Sequence, residues 1–375
     1  MSVIEMHSTW LAINSIIGCS NGCRYCLLQG NNDNNKTRPK EIVSPSMAVK
    51  ELINSKYYDS SIPVCLLPNT DPFLNKKNIK YLKDLIIELD KNSIYNVLTI
   101  ITKCKITNDV IDLVKLMELK GHKIIFYISY SGLNNIMEPN INANDIKYNF
   151  KLLKENNIPI VHYFRPLLPQ NSSKKIIDDV LNYVKKYTNI SVISGLNLIP
   201  TFIDKIDFWD EIKENKEICL KSSSVYPYYA WNYFKRNNID LQIFQTNTCA
   251  LNTVLSAASH YYGSYECKNY NRCSKMQRRK CKLLSFNMHK KSVKEECNSL
   301  LKKLGYDISK VKYRFDKLRS LEIINLELSI ADLTYLSYML HFKVYIRSNK
   351  IVNYTYNNSL NGAKPLIMKA SGNNE

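Results

Sequence analysis

The sequence lacks several patterns that would assign a function class directly. No apolar run approaches the ~18 residues that a membrane-spanning helix needs. Met1–Ser8 has no basic stretch followed by an apolar one, which argues against a secretory signal. Internal repeats, low-complexity tracts and metalloprotease, kinase or Walker motifs are absent as well. These absences predict a cytoplasmic globular protein that makes no use of a membrane.

The charge of the chain is strongly basic and unevenly distributed. The 375 residues carry a formal net charge of +19. Residues 1–210 hold 25 basic and 20 acidic side chains, whereas residues 211–375 hold 27 and 13. Most of the excess lies in Lys268–Arg319, with 17 basic and 4 acidic residues. Such a block favours an anionic partner such as nucleic acid, or else forms a solvated basic face.

Three cysteines, Cys19, Cys23 and Cys26, lie within eight residues and follow an apolar run. Thiolates grouped this tightly are suited to one soft metal centre. A structural zinc site requires four ligands, and no fourth candidate lies nearby in the sequence. A 4Fe–4S cluster held by three thiolates would leave one iron open to another ligand. A zinc knuckle or a redox-sensing thiol cluster is the alternative.

The spacing Cys-x3-Cys-x2-Cys, with Tyr25 before the last cysteine, resembles the radical S-adenosylmethionine (radical SAM) superfamily. The resemblance implies that the three cysteines hold a 4Fe–4S cluster and that S-adenosylmethionine binds the open iron, with Tyr25 packed against the cofactor. Reductive cleavage of the cofactor would give a 5′-deoxyadenosyl radical that abstracts hydrogen from a substrate. The electron would come from a reductase or a donor of the flavodoxin or ferredoxin type.

Short β-branched runs alternate with amphipathic helical stretches from Trp10 to about Asp210. This alternation predicts parallel strands joined by helical crossovers, which fits the partial (β/α)6 TIM-type barrel implied by the resemblance over residues 1–210. The predicted strands are Leu11–Ile17, Pro63–Leu67, Asn96–Thr102, Lys123–Ser129, Ile158–Phe164 and Ser191–Leu198. The predicted helices are Ser46–Asn54, Lys76–Asp90, Asn108–Leu119, Asn144–Glu155 and Ser173–Tyr187. Reactive groups of such barrels lie at the carboxyl ends of the strands.

Polar residues at four of these strand ends resemble the spore photoproduct lyase-like branch of the superfamily. The resemblance implies cofactor contacts, with Lys103 near the carboxylate of S-adenosylmethionine. The candidate cofactor-binding residues are Tyr25, Asn69, Thr70, Lys103, Ser129 and Arg165. Asp71, which follows Thr70, belongs to the same Thr-Asp-Pro element and has the alternative of a simple turn cap, while Lys103 has the alternative of a solvated strand end. Pro68 stands where that lyase has a hydrogen-donating cysteine, so the resemblance implies radical generation and leaves open a lyase or an oxidoreductase reaction.

A second group of cysteines, Cys249, Cys267, Cys273 and Cys281, lies in a Cys- and Tyr-rich segment predicted over residues 211–290. Four thiolates suit an auxiliary 4Fe–4S cluster or a structural zinc, and scattered buried cysteines are the alternative. Tyrosines between residues 261 and 270 interleave with basic side chains, a pattern that suits single-stranded nucleic acid or a packed lobe.

Residues 291–356 become regular again, which predicts a small basic α+β region over 291–375. Helices followed by a hairpin of Lys343–Arg347 and Ile351–Tyr356 suit a winged helix, or a helical extension that closes the open side of the barrel.

The substrate is predicted to be a nucleic-acid base or nucleotide, because the chain is basic and resembles that branch. A peptide or a small metabolite is the alternative within the superfamily. A non-catalytic, metal-dependent nucleic-acid-binding or redox-sensing protein is the alternative outside it.

Overall fold

One large, mostly parallel sheet organises the chain. The computed structural model describes residues 2–30, 36–220, 222, 224–236, 241–257, 276–279, 281, 290–315, 320–347, 352–354 and 364–366. Within these ranges the sheet has ten strands. Its strands are β1 (Ile4–Met6), β2 (Leu11–Ile13), β5 (Val64–Leu66), β6 (Leu98–Thr102), β7 (Ile124–Ser129), β8 (Ile160–Leu167), β9 (Ile190–Asn197), β10 (Ser224–Pro227), β11 (Gln242–Phe244) and β16 (Lys364–Leu366).

Six of these strands are parallel neighbours in the order β2-β5-β6-β7-β8-β9. Strand β1 adds antiparallel to β2, and β10 adds antiparallel to the end of β9. The two edges of the sheet do not pair with each other among the described residues, so the barrel is open. The predicted partial (β/α)6 fold is therefore confirmed.

Helices connect the parallel strands at the positions that the amphipathic spacing predicts. They are α1 (Pro45–Asn54), α2 (Lys76–Lys91), α3 (Asn108–Leu119), α4 (Ala143–Glu155) and α5 (Lys174–Val184). Side-chain caps fix several of their starts, as in α5, where the Ser173 hydroxyl accepts a hydrogen bond from the Ile176 N–H at 3.3 Å. The predicted bounds agree with the structure to within three residues.

Alternate residues of the strands build two separate cores, because successive side chains of a strand point to opposite faces. Leu11 and Ile13 face the helices, whereas Trp10 and Ala12 join a smaller core on the inner face. Helix α10 (Asn247–Val254) packs onto that inner core with Leu251. The inside of the open barrel is therefore filled by a helix from the second half of the chain.

The remaining helices between β9 and α10 are short. They are α6 (Pro200–Ile203), α7 (Asp210–Glu214), α8 (Lys216–Leu220) and α9 (Tyr228–Arg236). Strand β10 crosses the end of β9 so closely that a Cβ on Gly195 would lie 2.1 Å from the Val225 carbonyl oxygen. Only glycine allows this approach.

The described C-terminal part combines two helices with a four-stranded sheet. Its sheet has the order β12 (Lys312–Phe315), β13 (Ser320–Ile324), β14 (Lys343–Arg347) and β15 (Val352–Tyr354), and its helices are α11 (Lys290–Lys303) and α12 (Ile330–Leu340). The predicted hairpin is confirmed, since β14 and β15 pair antiparallel. Neither a winged helix nor a purely helical extension describes the unit. Strand β12 escaped prediction because exposed Lys312 and Arg314 alternate with half-buried aromatics, which makes it a half-polar strand.

No helix among the described residues is long and apolar enough to cross a bilayer. The two remaining described strands, β3 (Ile16–Ile17) and β4 (Lys40–Glu41), form a small antiparallel pair. This pair encloses the loop that carries the N-terminal cysteines.

A buried carboxylate fastens the C-terminal unit to the barrel. Asp332, in the first turn of α12, is 1% exposed. It accepts hydrogen bonds from Lys56 Nζ at 2.8 Å, the Tyr57 hydroxyl at 3.0 Å and the Tyr306 hydroxyl at 2.8 Å. Burial alone would raise the pKa of Asp332, but the Lys56 ammonium and the hydroxyls outweigh it and lower the pKa to about 2.

We expect Asp332→Asn to lower the free energy of unfolding at pH 7 by about 1–3 kcal/mol, because the buried group loses the charge that strengthens its hydrogen bonds from half-exposed Lys56 and the two tyrosine hydroxyls. The wild-type contribution of this carboxylate is present above its unfolded pKa of about 3.9 and is lost as pH falls through 2. Urea unfolding at pH 7 and at pH 3 measures both effects. Asp84→Asn, which removes the exposed ion pair with Lys80, is the matched control and should change stability by less than about 1 kcal/mol.

Candidate cluster and cofactor site

A cavity of about 350 Å³ opens at the carboxyl ends of the parallel strands. The residues predicted to bind a cluster or cofactor at the N-terminal site all border it. They are Cys19, Cys23, Tyr25, Cys26, Asn69, Thr70, Lys103, Ser129 and Arg165. Parallel pairing explains this convergence, because it brings successive strand ends to one edge of the sheet.

The three cysteines lie on the loop that follows β3. Gly18 starts this loop with φ of +103°, and a Cβ there would lie 2.8 Å from Thr37 Oγ1, so the turn requires glycine. The loop ends in a single 3-10 turn, Leu27–Gln29. Gln29 Nε2 donates hydrogen bonds back to the carbonyl oxygens of Cys23, at 3.1 Å, and Arg24. The side chain of Gln29 therefore fixes the curvature that turns the thiols toward the cavity.

The thiols lie in a water-poor environment. Burial raises the pKa of Cys19 to about 12 and raises the pKa values of Cys23 and Cys26 as well. The Lys103 ammonium acts in the opposite direction and lowers the pKa values of Cys23 and Cys26. The free thiols are therefore protonated at neutral pH, and metal binding would have to release their protons.

The donor set fits a cluster better than a single ion. Among the described residues, no three His, Cys, Asp or Glu side chains are close enough together to share one metal ion. A 4Fe–4S cluster instead takes its thiolates on separate irons. Three convergent thiols, with no fourth ligand beside them among the described residues, fit a cluster with one open iron, whereas a closed zinc site requires four ligands.

Asp71 ties the end of β5 to the end of β6. Its Oδ1 accepts hydrogen bonds from the Thr102 hydroxyl at 2.7 Å and the Phe73 N–H at 3.0 Å, and its Oδ2 accepts from the Lys103 N–H at 2.8 Å. A turn cap accounts for the hydrogen bond from the Phe73 N–H, but not for the bonds from Thr102 and Lys103 on the neighbouring strand. The same carboxylate also sets the position of Lys103, since it holds the backbone of that residue.

Lys103 forms a buried ion pair across the site. Its Nζ lies 2.7 Å from Glu138 Oε1, and the two side chains are 13% and 6% exposed. The Tyr25 hydroxyl donates to the same Glu138 oxygen, and Lys103 Nζ lies 5.6 Å from the centre of the Tyr25 ring. The alternative of Lys103 as a solvated strand end is therefore wrong. Glu138 links Tyr25, between two of the cysteines, to the end of β6.

The other predicted residues occupy the cavity wall in different ways. Thr70 is buried and accepts a hydrogen bond from Asn78 Nδ2 at 3.2 Å. Ser129 is 4% exposed at the last position of β7. Arg165 lies farther along the wall, where its Nη1 donates to Asn247 Oδ1 at 3.2 Å. Lys103, Thr70 and Ser129 therefore lie at successive strand ends, while Arg165 also reaches α10.

Sequence reasoning missed Glu138 as part of the site. Its one sequence signal is an acidic residue placed between Met137 and Pro139, a poor environment for a solvated charge. The end of β9 was missed as well, although Gly195, Leu196 and Asn197 border the cavity. Their contribution depends on the close approach of β10, which no local pattern indicates.

The second cysteine group is described only in part. Cys249 lies in α10 against the inner core, and Cys281 is buried with Gln277 Nε2 3.5 Å from its sulfur. Cys267 and Cys273 lie outside the described residues, as do the tyrosines between residues 261 and 270. The auxiliary cluster or zinc site therefore stays a prediction.

Comparison with known families identifies the domain that carries this site. Residues 13–181 match the radical SAM superfamily. The chain therefore contains a radical SAM domain, as the cysteine spacing predicts. The matched segment includes the three cysteines and the strand ends of β5 to β8, and Arg165 is within it.

The solved structures that the chain matches in part include those of spore photoproduct lyase. One mutant of that enzyme has a TM-score of 0.41 at 12% identity, and the match covers 52% of this chain and 59% of that one. A double mutant with bound AdoMet and dinucleoside spore photoproduct has a TM-score of 0.44 at 12% identity, with 63% and 76% covered. A radical SAM methyltransferase from Sphaerobacter thermophilus has a TM-score of 0.38 at 10% identity, with 52% and 59% covered.

No curated protein sequence matches the chain. Likenesses at 10–12% identity carry no argument about reaction or substrate. This chain also spans only about three fifths of the first of those structures. The branch within the superfamily therefore still rests on the strand-end residues of this sequence.

We expect Lys103→Met to lower the free energy of unfolding of the metal-free protein by about 3 kcal/mol, because it leaves Glu138 charged and buried. Lys103→Met combined with Glu138→Gln should recover much of that loss, since no unpaired charge remains. Urea unfolding of both single variants and the double variant measures the coupling. Strictly additive losses would contradict the buried ion pair.

Proposed function

We propose that this chain is a radical SAM enzyme whose Cys19, Cys23 and Cys26 hold a 4Fe–4S cluster and whose cavity binds S-adenosylmethionine. The observation that carries the proposal is the convergence of three thiols, of which that of Cys23 is buried, and several polar strand ends on one cavity of a radical SAM domain. When bound, the cluster and cofactor would supply a 5′-deoxyadenosyl radical, using one electron from a reductase or a flavodoxin- or ferredoxin-type donor.

The protein would contribute binding, orientation and the exclusion of water. Cys23 is 6% exposed, so a cluster held there would be shielded on the protein side. Asn69, Thr70 and Ser129 place hydrogen-bonding groups on the wall where the cofactor would lie. Tyr25 is held in position by its bond to Glu138 and would pack against the cofactor.

Lys103 would bind the carboxylate of the cofactor. An ammonium has three donor hydrogens, and Glu138 takes one of them at 2.7 Å. The remaining donors are available on a side chain that borders the cavity. Because Glu138 balances the charge of Lys103, the ammonium is held at the cavity without an unpaired buried charge.

Hydrogen abstraction from a C–H bond of the substrate is the chemistry that the bound cofactor would supply, and the later reaction of the substrate decides between a lyase and an oxidoreductase. A nucleic-acid base or nucleotide is the proposed substrate, supported by the basic second half of the chain. A peptide or metabolite is the alternative, and an auxiliary cluster on Cys249, Cys267, Cys273 and Cys281 would accompany it.

Cys23→Ala should abolish both cluster loading and the formation of 5′-deoxyadenosine, because one iron loses its thiolate. The protein is purified and reconstituted anaerobically, its iron and sulfide are counted, and turnover is measured with dithionite and S-adenosylmethionine. About four irons per chain indicate one cluster and about eight indicate two. Zinc alone would support a non-catalytic metal-dependent protein instead.

Cys297→Ala is the matched control, since Cys297 is a fully buried cysteine of α11 that does not border the cavity. It should keep the wild-type iron content and the wild-type yield of 5′-deoxyadenosine. An undiminished yield in Cys23→Ala would contradict the assignment of the ligands.

A further inference from the structure

A second cavity, of about 420 Å³, adjoins the cofactor cavity beside strands β8 and β9. The two cavities share four wall residues, which are Leu27, Arg165, Gly195 and Asn197. The volume falls within the range of small-molecule sites. A molecule held there would be separated from the cofactor site only by these shared residues.

The wall of the second cavity combines aromatic and amide side chains. Its aromatic residues are Trp10, Tyr226 and Trp231, and its amide residues are Asn197, Gln245 and Asn247. Walls of this composition suit a polar molecule with a flat or ring-shaped part, because amides can donate and accept hydrogen bonds at its edges.

Arg165 supplies a charge to this wall. Its guanidinium donates one hydrogen bond to Asn247 Oδ1 at 3.2 Å and lies 5.3 Å from the centre of the Tyr163 ring. It forms no ion pair with any carboxylate of the described residues, in contrast to Lys103, which is paired with Glu138. No aspartate or glutamate of the described part of the chain borders the cavity.

We propose that the second cavity is the substrate chamber and takes one small molecule bearing a carboxylate or phosphate, whose oxygens Arg165 binds. This inference rests on the proposed function, since it places the substrate beside the cofactor site of the same domain. A half-buried guanidinium without an acidic partner recognises such oxyanions through paired N–H donors. Arg165 is thereby assigned to the substrate, whereas the sequence resemblance implies a cofactor contact.

Binding to the chamber can be measured without turnover, because two of the three tryptophans of the chain, Trp10 and Trp231, line it. Tryptophan fluorescence is followed while the full-length protein, with and without its reconstituted cluster, is titrated with defined probes. Nucleoside 5′-monophosphates are compared with the parent nucleosides. Short peptides with a free C-terminal carboxylate are compared with their amides, which distinguishes the two sources of an oxyanion.

We expect an anionic probe to bind at least about tenfold more tightly than its neutral counterpart, and Arg165→Gln to remove that difference. Arg279→Gln is the matched control, because Arg279 is exposed and does not border the chamber. It should leave the preference for the anionic probe unchanged. Iron content and 5′-deoxyadenosine are measured separately, so failure of the proposed function would be distinguished from failure of this inference.

Several outcomes would overturn the assignment. Equal affinity for charged and neutral probes, or no response to any anionic probe, would show that the chamber does not recognise an oxyanion. If Arg165→Gln binds S-adenosylmethionine more weakly but binds anionic probes as the wild type does, Arg165 contacts the cofactor and not the substrate. Binding restricted to oligonucleotides, weakened by salt and by Arg279→Gln, indicates a polymer held on the basic surface instead.

Discussion

Parallel pairing of six strands is the constraint on which the candidate site depends. Strands β2, β5, β6, β7, β8 and β9 all run in one direction, so their carboxyl ends lie along one edge of the sheet. Residues as distant in sequence as Cys19, Thr70 and Ser129 meet at one cavity for this reason. An antiparallel neighbour would place alternate ends at the opposite edge and divide the set.

Two buried carboxylates then hold the site residues that the strand ends bring together. Asp71 holds the backbone at the end of β6, and Glu138 holds the side chains of Lys103 and Tyr25. Each carboxylate binds several donors in a water-poor environment, where hydrogen bonds to a charged group are strong. The positions of Lys103 and Tyr25 are therefore set by contacts within the protein.

Short local patterns in the sequence predict most of the barrel and much of the cavity wall. Strands β2 and β5 to β9 follow from β-branched runs, the helices from apolar spacing, and the cysteine loop from a motif eight residues long. The predicted strand Leu11–Ile17 is wrong in extent, because β2 ends at Ile13 and β3 pairs with β4 outside the large sheet. Residues predicted at the ends of these strands border the cavity, because parallel strands end at the same edge of the sheet. The fold of the barrel and much of the wall could therefore be read from short segments.

The parts that escaped prediction depend on contacts between distant segments. Glu138 matters because it meets Lys103 and Tyr25, and Gly195 because β10 crosses it. The second cavity exists only where α10 packs inside the barrel and Asn247 meets Arg165. The mixed sheet of the C-terminal unit was missed since exposed basic residues interrupt the apolar pattern of β12.

The proposed function requires Cys19, Cys23 and Cys26 to hold a cluster with one iron open to S-adenosylmethionine. Electron paramagnetic resonance of the anaerobically reconstituted and reduced protein is the decisive measurement. We expect a reduced 4Fe–4S signal that changes when S-adenosylmethionine is added. A protein without such a signal, or with a signal that the cofactor leaves unchanged, would contradict it.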